Sequence, residues 1–141
     1  MALAVLNNAG RKESMIEALF SQPNYLAAKK SLDMVQLRAE AIANNIGNLE
    51  TPGYKRLDVA KAFTTELDRA CAARDTRALA SLRPTLTADP NAVPVGPDGN
   101  TVNLESELIE LNKNDLAHAL ETQLLTGSLM RLRLAITGKP L

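Results

Sequence analysis

Cysteine and histidine occur once each, as Cys71 and His118, in a chain of 141 residues. A single copy of each excludes a disulfide framework and a zinc site assembled from Cys and His within one chain. Aromatic residues are nearly missing, with two Tyr, two Phe and no Trp. Base-stacking platforms and aromatic cages therefore have no material to be built from. Charge of one sign is not in excess either, because 16 basic residues balance 16 acidic ones. That balance argues against a nucleic-acid or anionic-membrane binder that relies on bulk positive charge. Long apolar runs are absent: the longest uncharged stretch of the second half, residues 122–130, falls far short of the roughly 18 residues a membrane span requires. Met1 to Leu6 is apolar, but no basic stretch precedes it and Asn7 and Asn8 follow at once, so no cleaved secretory leader is expected.

Catalytic signals are equally sparse. Neither G-x-G-x-x-G nor G-x-x-x-x-G-K occurs, so no phosphate loop is expected. His118 has Asp115 and Glu121 three residues to either side and nothing else beside it in sequence; a surface or seam histidine is the expected role. Cys71 lies 47 residues from that histidine and reads as a small, buried apolar residue rather than a nucleophile. No catalytic, metal or cofactor site is expected, and no small-molecule substrate.

What remains is an aliphatic chain, 45% apolar, patterned for helices. Residues 1–22 read as a weakly ordered head in which Ser14 and Glu17 have capping-box spacing ahead of a short helix. From Tyr25, the residues Ala28, Leu32, Val35, Ala39, Ile42, Ile46 and Leu49 recur at alternating spacings of three and four, the seam of a coiled coil. Lys29, Lys30, Asp33, Gln36, Arg38 and Glu40 fall off that seam. Pro52 then stops the helix, and Pro52-Gly53 is the favoured centre of a type II turn with Gly53 at positive φ. Residues 58–82 place Val59, Phe63, Leu67, Ala70, Cys71, Ala78, Leu79 and Leu82 on one apolar side, interrupted at residues 74–77, which predicts a kink or two shorter helices. Four prolines between residues 84 and 100 mark a long loop.

The last segment, residues 103–137, predicts one uninterrupted helix capped by Asn103 and closed by Gly138. It would extend roughly 50 Å, whereas a compact chain of this size is only about 37 Å across. The expected fold is therefore mainly α and elongated. Long N- and C-terminal helices pair as an antiparallel coiled coil, and a short irregular or helical central segment folds to one side. As parts of one elongated domain, residues 1–22 form the head, 23–57 the first helix and turn, 58–102 the centre and 103–141 the last helix. The packing residues expected are Leu32, Val35, Ile42, Ile46 and Leu49 on the first helix. On the second, Leu104, Leu108 and Leu111 form a seam that drifts through Leu116, Leu120 and Leu124 before resuming at Leu125, Leu129, Leu132 and Ile136. The final turns are apolar nearly all round and need cover from other subunits or from copies of this chain.

Asn44, Asn45 and Asn48 crowd the end of the first helix, although Asn is a mediocre helix former. Helix capping with solvent exposure, or amide hydrogen bonds between helices that hold register, are two readings of equal weight. The run I-A-N-N-I-G-N-L-E-T-P-G-Y-K from residue 42 to 55 closely resembles the N-terminal signature of the bacterial flagellar axial proteins, the rod, hook and hook-associated family. The matching positions are Asn45, Ile46, Asn48, Thr51, Pro52, Gly53, Tyr54 and Lys55, with Gly47 standing where that family usually has Ala. Residues 98–107, followed by a long helix ending L-A-I-T-G-K, are similar to the small proximal-rod members of the family. The resemblance covers residues 25–59 and 97–139.

It implies a structural subunit of the basal-body rod, exported through the flagellar secretion channel without a cleaved signal peptide and located in the periplasm. There it would polymerise through its terminal helices, line the export channel, transmit torque and support motility. The implied partners are copies of itself, other rod subunits, and ring or export-gate components; an export chaperone is compatible with that route, and nucleic acid is not implied. A sister rod subunit, or a cytoplasmic helical adaptor that binds partner helices through the same apolar surface, are the alternatives.

Overall fold

The computed structural model describes residues 20–138, so the head helix expected around Ser14 lies outside the described residues. Four helices and two short strands follow in the order α1 (Pro23–Gly47), β1 (Leu57–Val59), α2 (Lys61–Ala73), α3 (Thr76–Ser81), β2 (Leu86–Ala88) and α4 (Leu104–Thr137). The molecule is mainly helical. At 1.5 Å per residue, the 34 residues of α4 extend about 51 Å, which makes the protein elongated.

Local chemistry accounts for each boundary. Pro23 sits in the first turn of α1, where its missing N–H costs nothing. That helix ends at Gly47 rather than at Leu49, because Asn48, Thr51 and Tyr54 turn the chain through Asn48 N–H to Asn45 O and Tyr54 N–H to Thr51 O bonds. Leu49 therefore lies in the turn and not on the seam. Gly53 carries φ 71°, the conformation the Pro-Gly reading requires. Its absent Cβ would meet nothing within 4 Å, so only the backbone angle discriminates there. Gly53→Ala is expected to lower stability by about 1–2 kcal/mol, read as a shift in the urea midpoint.

The break in residues 58–82 is a left-handed cap at Arg74 (φ 51°), where the Asp75 N–H reaches Ala70 O. Asp75 then caps α3 by accepting from the Arg77 and Ala78 N–H groups at 3.0 Å each. Between them, α2 and α3 enclose the main apolar core of Val59, Phe63, Leu67, Ala70 and Leu79, against which Leu26 and Met34 of α1 also pack. Each large side chain so buried contributes about 1.5–3 kcal/mol.

The centre is not only irregular or helical, as expected from sequence. β1 and β2 pair antiparallel, with Leu57 opposite Ala88 and Val59 opposite Leu86. Three-residue strands carry too little periodicity to be seen in a sequence. Their pairing converts the start of the proline-rich loop into a strap across the base of α1.

The long helices meet along their length, and the contacts run in opposite senses. Asn45 touches Glu107, Val35 touches Asn114, and Asn24 and Tyr25 share a groove with Ser128 and Leu132. Lys30, off the seam, is 6% exposed, because α1 is covered on a second side by the α2–α3 core. One expectation about this contact is corrected. On α4, Leu104 and Leu108 are exposed, as are Leu129 and Ile136, and so do not fill the contact with α1. Leu111, Leu125 and Leu132 are half-buried, while Glu107 and Asn114 are buried there instead. Rotating the leucines inward would pull both polar residues away from their partners on α1.

Candidate functional site

The signature residues converge on one buried polar junction. Asn45, on the last turn of α1, is fully buried and uses its whole amide. Its Nδ2 donates to Leu57 O at 2.9 Å and to Glu107 Oε2 at 3.1 Å. Its Oδ1 accepts from the Leu57 N–H at 2.8 Å and the Tyr54 hydroxyl at 3.4 Å. By bonding both backbone groups of Leu57, the side chain acts as a one-residue strand partner for β1. An Asp could not donate there, and an Ala would orphan four groups.

Glu107 lies fully buried one turn into α4. Its second oxygen accepts from Arg56 Nε at 2.6 Å. Arg56 spends its remaining reach on Asp89 at 2.8 Å and Asp58 at 3.4 Å. One guanidinium thereby joins β1, the strap after β2 and the start of α4. Burial opposes its charge, but the hydrogen bond and field of Glu107, with Asp58 behind them, hold the Arg56 pKa above its ordinary value.

Burial alone would raise the Asp58 pKa. The Val59 N–H, Arg38 at 3.1 Å and Arg56 outweigh it and hold the carboxyl below the usual range. A lowered folded pKa means that Asp58 stabilises the protein above its unfolded value of about 3.9. That contribution is lost as pH falls through the lower folded value. Asp58→Asn is therefore expected to flatten the loss of stability between about pH 6 and about pH 3, measured by urea unfolding at each pH. Tyr54 is pushed up by burial and then by Glu107, so its hydroxyl stays a donor to Asn45.

The second sequence motif closes over the first. Asn100, 3% exposed, points its Nδ2 at the carbonyls of Asn48, Leu49 and Thr51, each at 2.9 Å. Those carbonyls belong to the turn that follows α1, where Asn48 O also accepts the Thr51 N–H. The Asn100 Oδ1 accepts from the Val102 N–H. Thr101 accepts from the Arg56 N–H and donates its own N–H to Tyr54 O. Lys55 donates to Gly99 O, and the Gly53 N–H to Asp98 O. The two motifs, far apart in sequence, are the two halves of one clasp.

Of the sequence-predicted signature residues, Asn45 and Tyr54 enter the buried junction directly. Asn48 caps α1 by donating to Asn44 O at 2.8 Å and accepts from the Thr51 hydroxyl, while Asn44 is exposed. Both readings of the asparagines hold, divided among them. Pro52 and Gly53 make the turn, Lys55 ties it to Gly99, and Ile46 is half-buried. Sequence reading missed Arg56, Asn100 and Glu107. No periodic signal marks them, because their partners lie about 50 positions away in the chain.

Chemical reactivity does not collect here. The polar side-chain atoms of Asn45 and Glu107 are all engaged by other groups of the chain. His118 is exposed, and the described residues contain no cluster of three metal-ligating side chains. Cys71 is pushed up by burial and by Asp68, which disfavours a thiolate. No helix among the described residues is long and apolar enough to cross a membrane.

A long helix covered on one face, clasped at its base by a fully paired polar junction, defines an elongated helical structural protein. Curated relatives agree with that class. The chain is 30% identical to the flagellar basal body rod protein FlgB of Borrelia hermsii, over 69% of this chain and 83% of the relative. It is 29% identical to FlgB of Aeromonas hydrophila, over 77% and 89% respectively. It is 29% identical to FlgB of Escherichia coli K12, over 72% and 83%. No family model matches the chain. The chain belongs to the FlgB family of flagellar basal body rod proteins. It is a structural protein, not an enzyme.

Proposed function

We propose that the chain is a structural subunit of the proximal flagellar rod that polymerises through its terminal helices. In this reading α1 and α4 pack as an antiparallel coiled coil, and neighbouring subunits bury what that pair leaves open. The observation that carries it is the outward face of α4. Leu108, Leu116, Leu120, Leu124 and Met130 are 46–73% exposed on the side of that helix turned away from α1, an apolar surface of the kind that marks an interaction site.

A helical array uses heterologous contacts that do not close, and a long uninterrupted face suits them. The assembled rod would line the export channel, carry torque across the periplasm and be required for motility. Its other partners would be further rod subunits and the ring or export-gate components at its ends. Export would proceed through the flagellar channel. The FlgB relatives favour this position over that of a sister subunit such as FlgC, and over a cytoplasmic adaptor.

The test is to tag the protein in its own host and purify basal bodies. Tag density in the rod, with loss of swimming on deletion, is expected. A tag confined to the cytosol, with normal swimming on deletion, overturns the reading.

A further inference from the structure

Where the start of α1 passes the end of α4, the two helices leave a groove open. It holds about 480 Å³, and its walls include Phe20, Asn24, Tyr25, Leu129, Arg131 and Leu132. Two of the four aromatic residues in the chain meet there. The Phe20 and Tyr25 rings lie edge to face, with centroids 5.1 Å apart and planes at 71°. Nothing described covers them fully, since Phe20 is 39% exposed and Leu129 41%. Arg131 reaches only the Ser128 hydroxyl, at 3.4 Å, and no acidic side chain among the described residues pairs with it.

The sequence immediately before Phe20 complements this surface. Leu19 and Phe20 follow Ile16 by three and four residues, the spacing that sets side chains on one side of a helical turn. Phe20 already lines the groove, so a turn running back from it directs Ile16 and Leu19 to the same apolar walls. Glu17, three residues before Phe20, falls on the flank of that turn and meets Arg131. A carboxylate has two oxygens, so one can close the capping box with Ser14 while the other accepts from the guanidinium. The residues after Gly138 offer no such match, because they begin with Lys139, of the same sign as Arg131. A second copy presents the same side chains only at its bulk concentration. A segment joined to the groove at Phe20 is held beside it at an effective concentration of order millimolar.

We propose that residues 14–19 dock in this groove of their own chain, with Ile16 and Leu19 covering the wall formed by Tyr25, Leu129 and Leu132 and with Glu17 paired to Arg131. The head then shields the end of α4 while the chain is a monomer. The inference concerns the single chain and does not rest on a place in the rod. It also leaves open the other side of α4, where Leu116, Leu120 and Leu124 are exposed.

In the full chain with Cys71→Ser, spin labels are placed at Ala18→Cys, two residues from Ile16 and so turned away from the groove, and at Ala119→Cys, an exposed position of α4. Their separation is measured by double electron–electron resonance at several protein concentrations. One narrow distance, the same at every concentration, is expected. Ile16→Asp and Glu17→Arg are each expected to broaden it to the spread of an undocked segment. Arg131 is exposed, so its reversal leaves the fold in place. Glu17→Arg combined with Arg131→Glu is therefore expected to restore the narrow distance, which loss of the capping box alone would not allow. A broad distribution in the parent protein overturns the proposal, as does a narrow one that survives both single variants, because the head then rests elsewhere. A double variant as broad as Glu17→Arg alone overturns it too. So does a distance that narrows only as concentration rises, since a second copy then fills the groove.

Discussion

Glu107→Ala is expected to cost about 3–5 kcal/mol of folding free energy, a large share of the roughly 5–15 kcal/mol that holds a domain together. The carboxylate is fully buried and accepts from both Arg56 and Asn45. Its removal leaves the 13%-exposed guanidinium paired only with Asp58 and Asp89 at its other end, and strands one amide proton of Asn45. The free energy lost is therefore mostly the penalty on the groups left behind, not the worth of the pair. Glu107→Gln keeps the shape and one acceptor and is expected to fall between the wild type and the alanine variant. Urea unfolding followed by circular dichroism reads both. A cost below about 1 kcal/mol for the alanine variant, the range of a surface pair, would show that the junction does not hold α4 in place.

The opposite face of α4 should respond in the opposite way. Leu120 and Leu124 are 55% and 52% exposed, so Leu120→Asp with Leu124→Asp removes little that the single chain buries. The expected shift in stability is within about 0.5 kcal/mol per site. Swimming, in contrast, is expected to be abolished, because two carboxylates would have to be desolvated wherever a neighbouring helix covers that face. Thermal unfolding of the purified protein and a soft-agar motility assay in the host give the two readings. Normal swimming in the double variant would refute the assignment of this face to subunit contacts. Together with Glu107→Ala, the pair separates a residue that folds the subunit from residues that join subunits.

The contrast between those two faces is also where sequence reading and structure part company. The Asn103 and Gly138 caps, the Pro52-Gly53 turn and the apolar side of residues 58–82 are all local or periodic features, and each was legible. A cap needs a side chain two or three residues away, and a turn needs a backbone angle that only certain residues supply. The inward face of α4 was not legible in that way. Counting leucines points to Leu104 and Leu108, yet those side chains are exposed. The face is chosen instead by Asn45 and Arg56, 62 and 51 positions away from Glu107. Likewise β1 and β2 are too short to announce themselves, and their register depends on the strap held by Arg56 and Asp89.

By itself, then, the chain's order of residues determined a mainly helical, elongated protein with two long helices and a tight turn between motif and centre. Tertiary structure alone decided which side of α4 turns inward, that the two distant motifs are halves of one clasp, and that a small sheet straps the base of α1. The physical reason is range. Helix propensity, capping and turn geometry act within a few residues and are written in neighbouring letters. The choice between a leucine face and a polar face is made by a buried carboxylate whose partners come together only when the chain has folded.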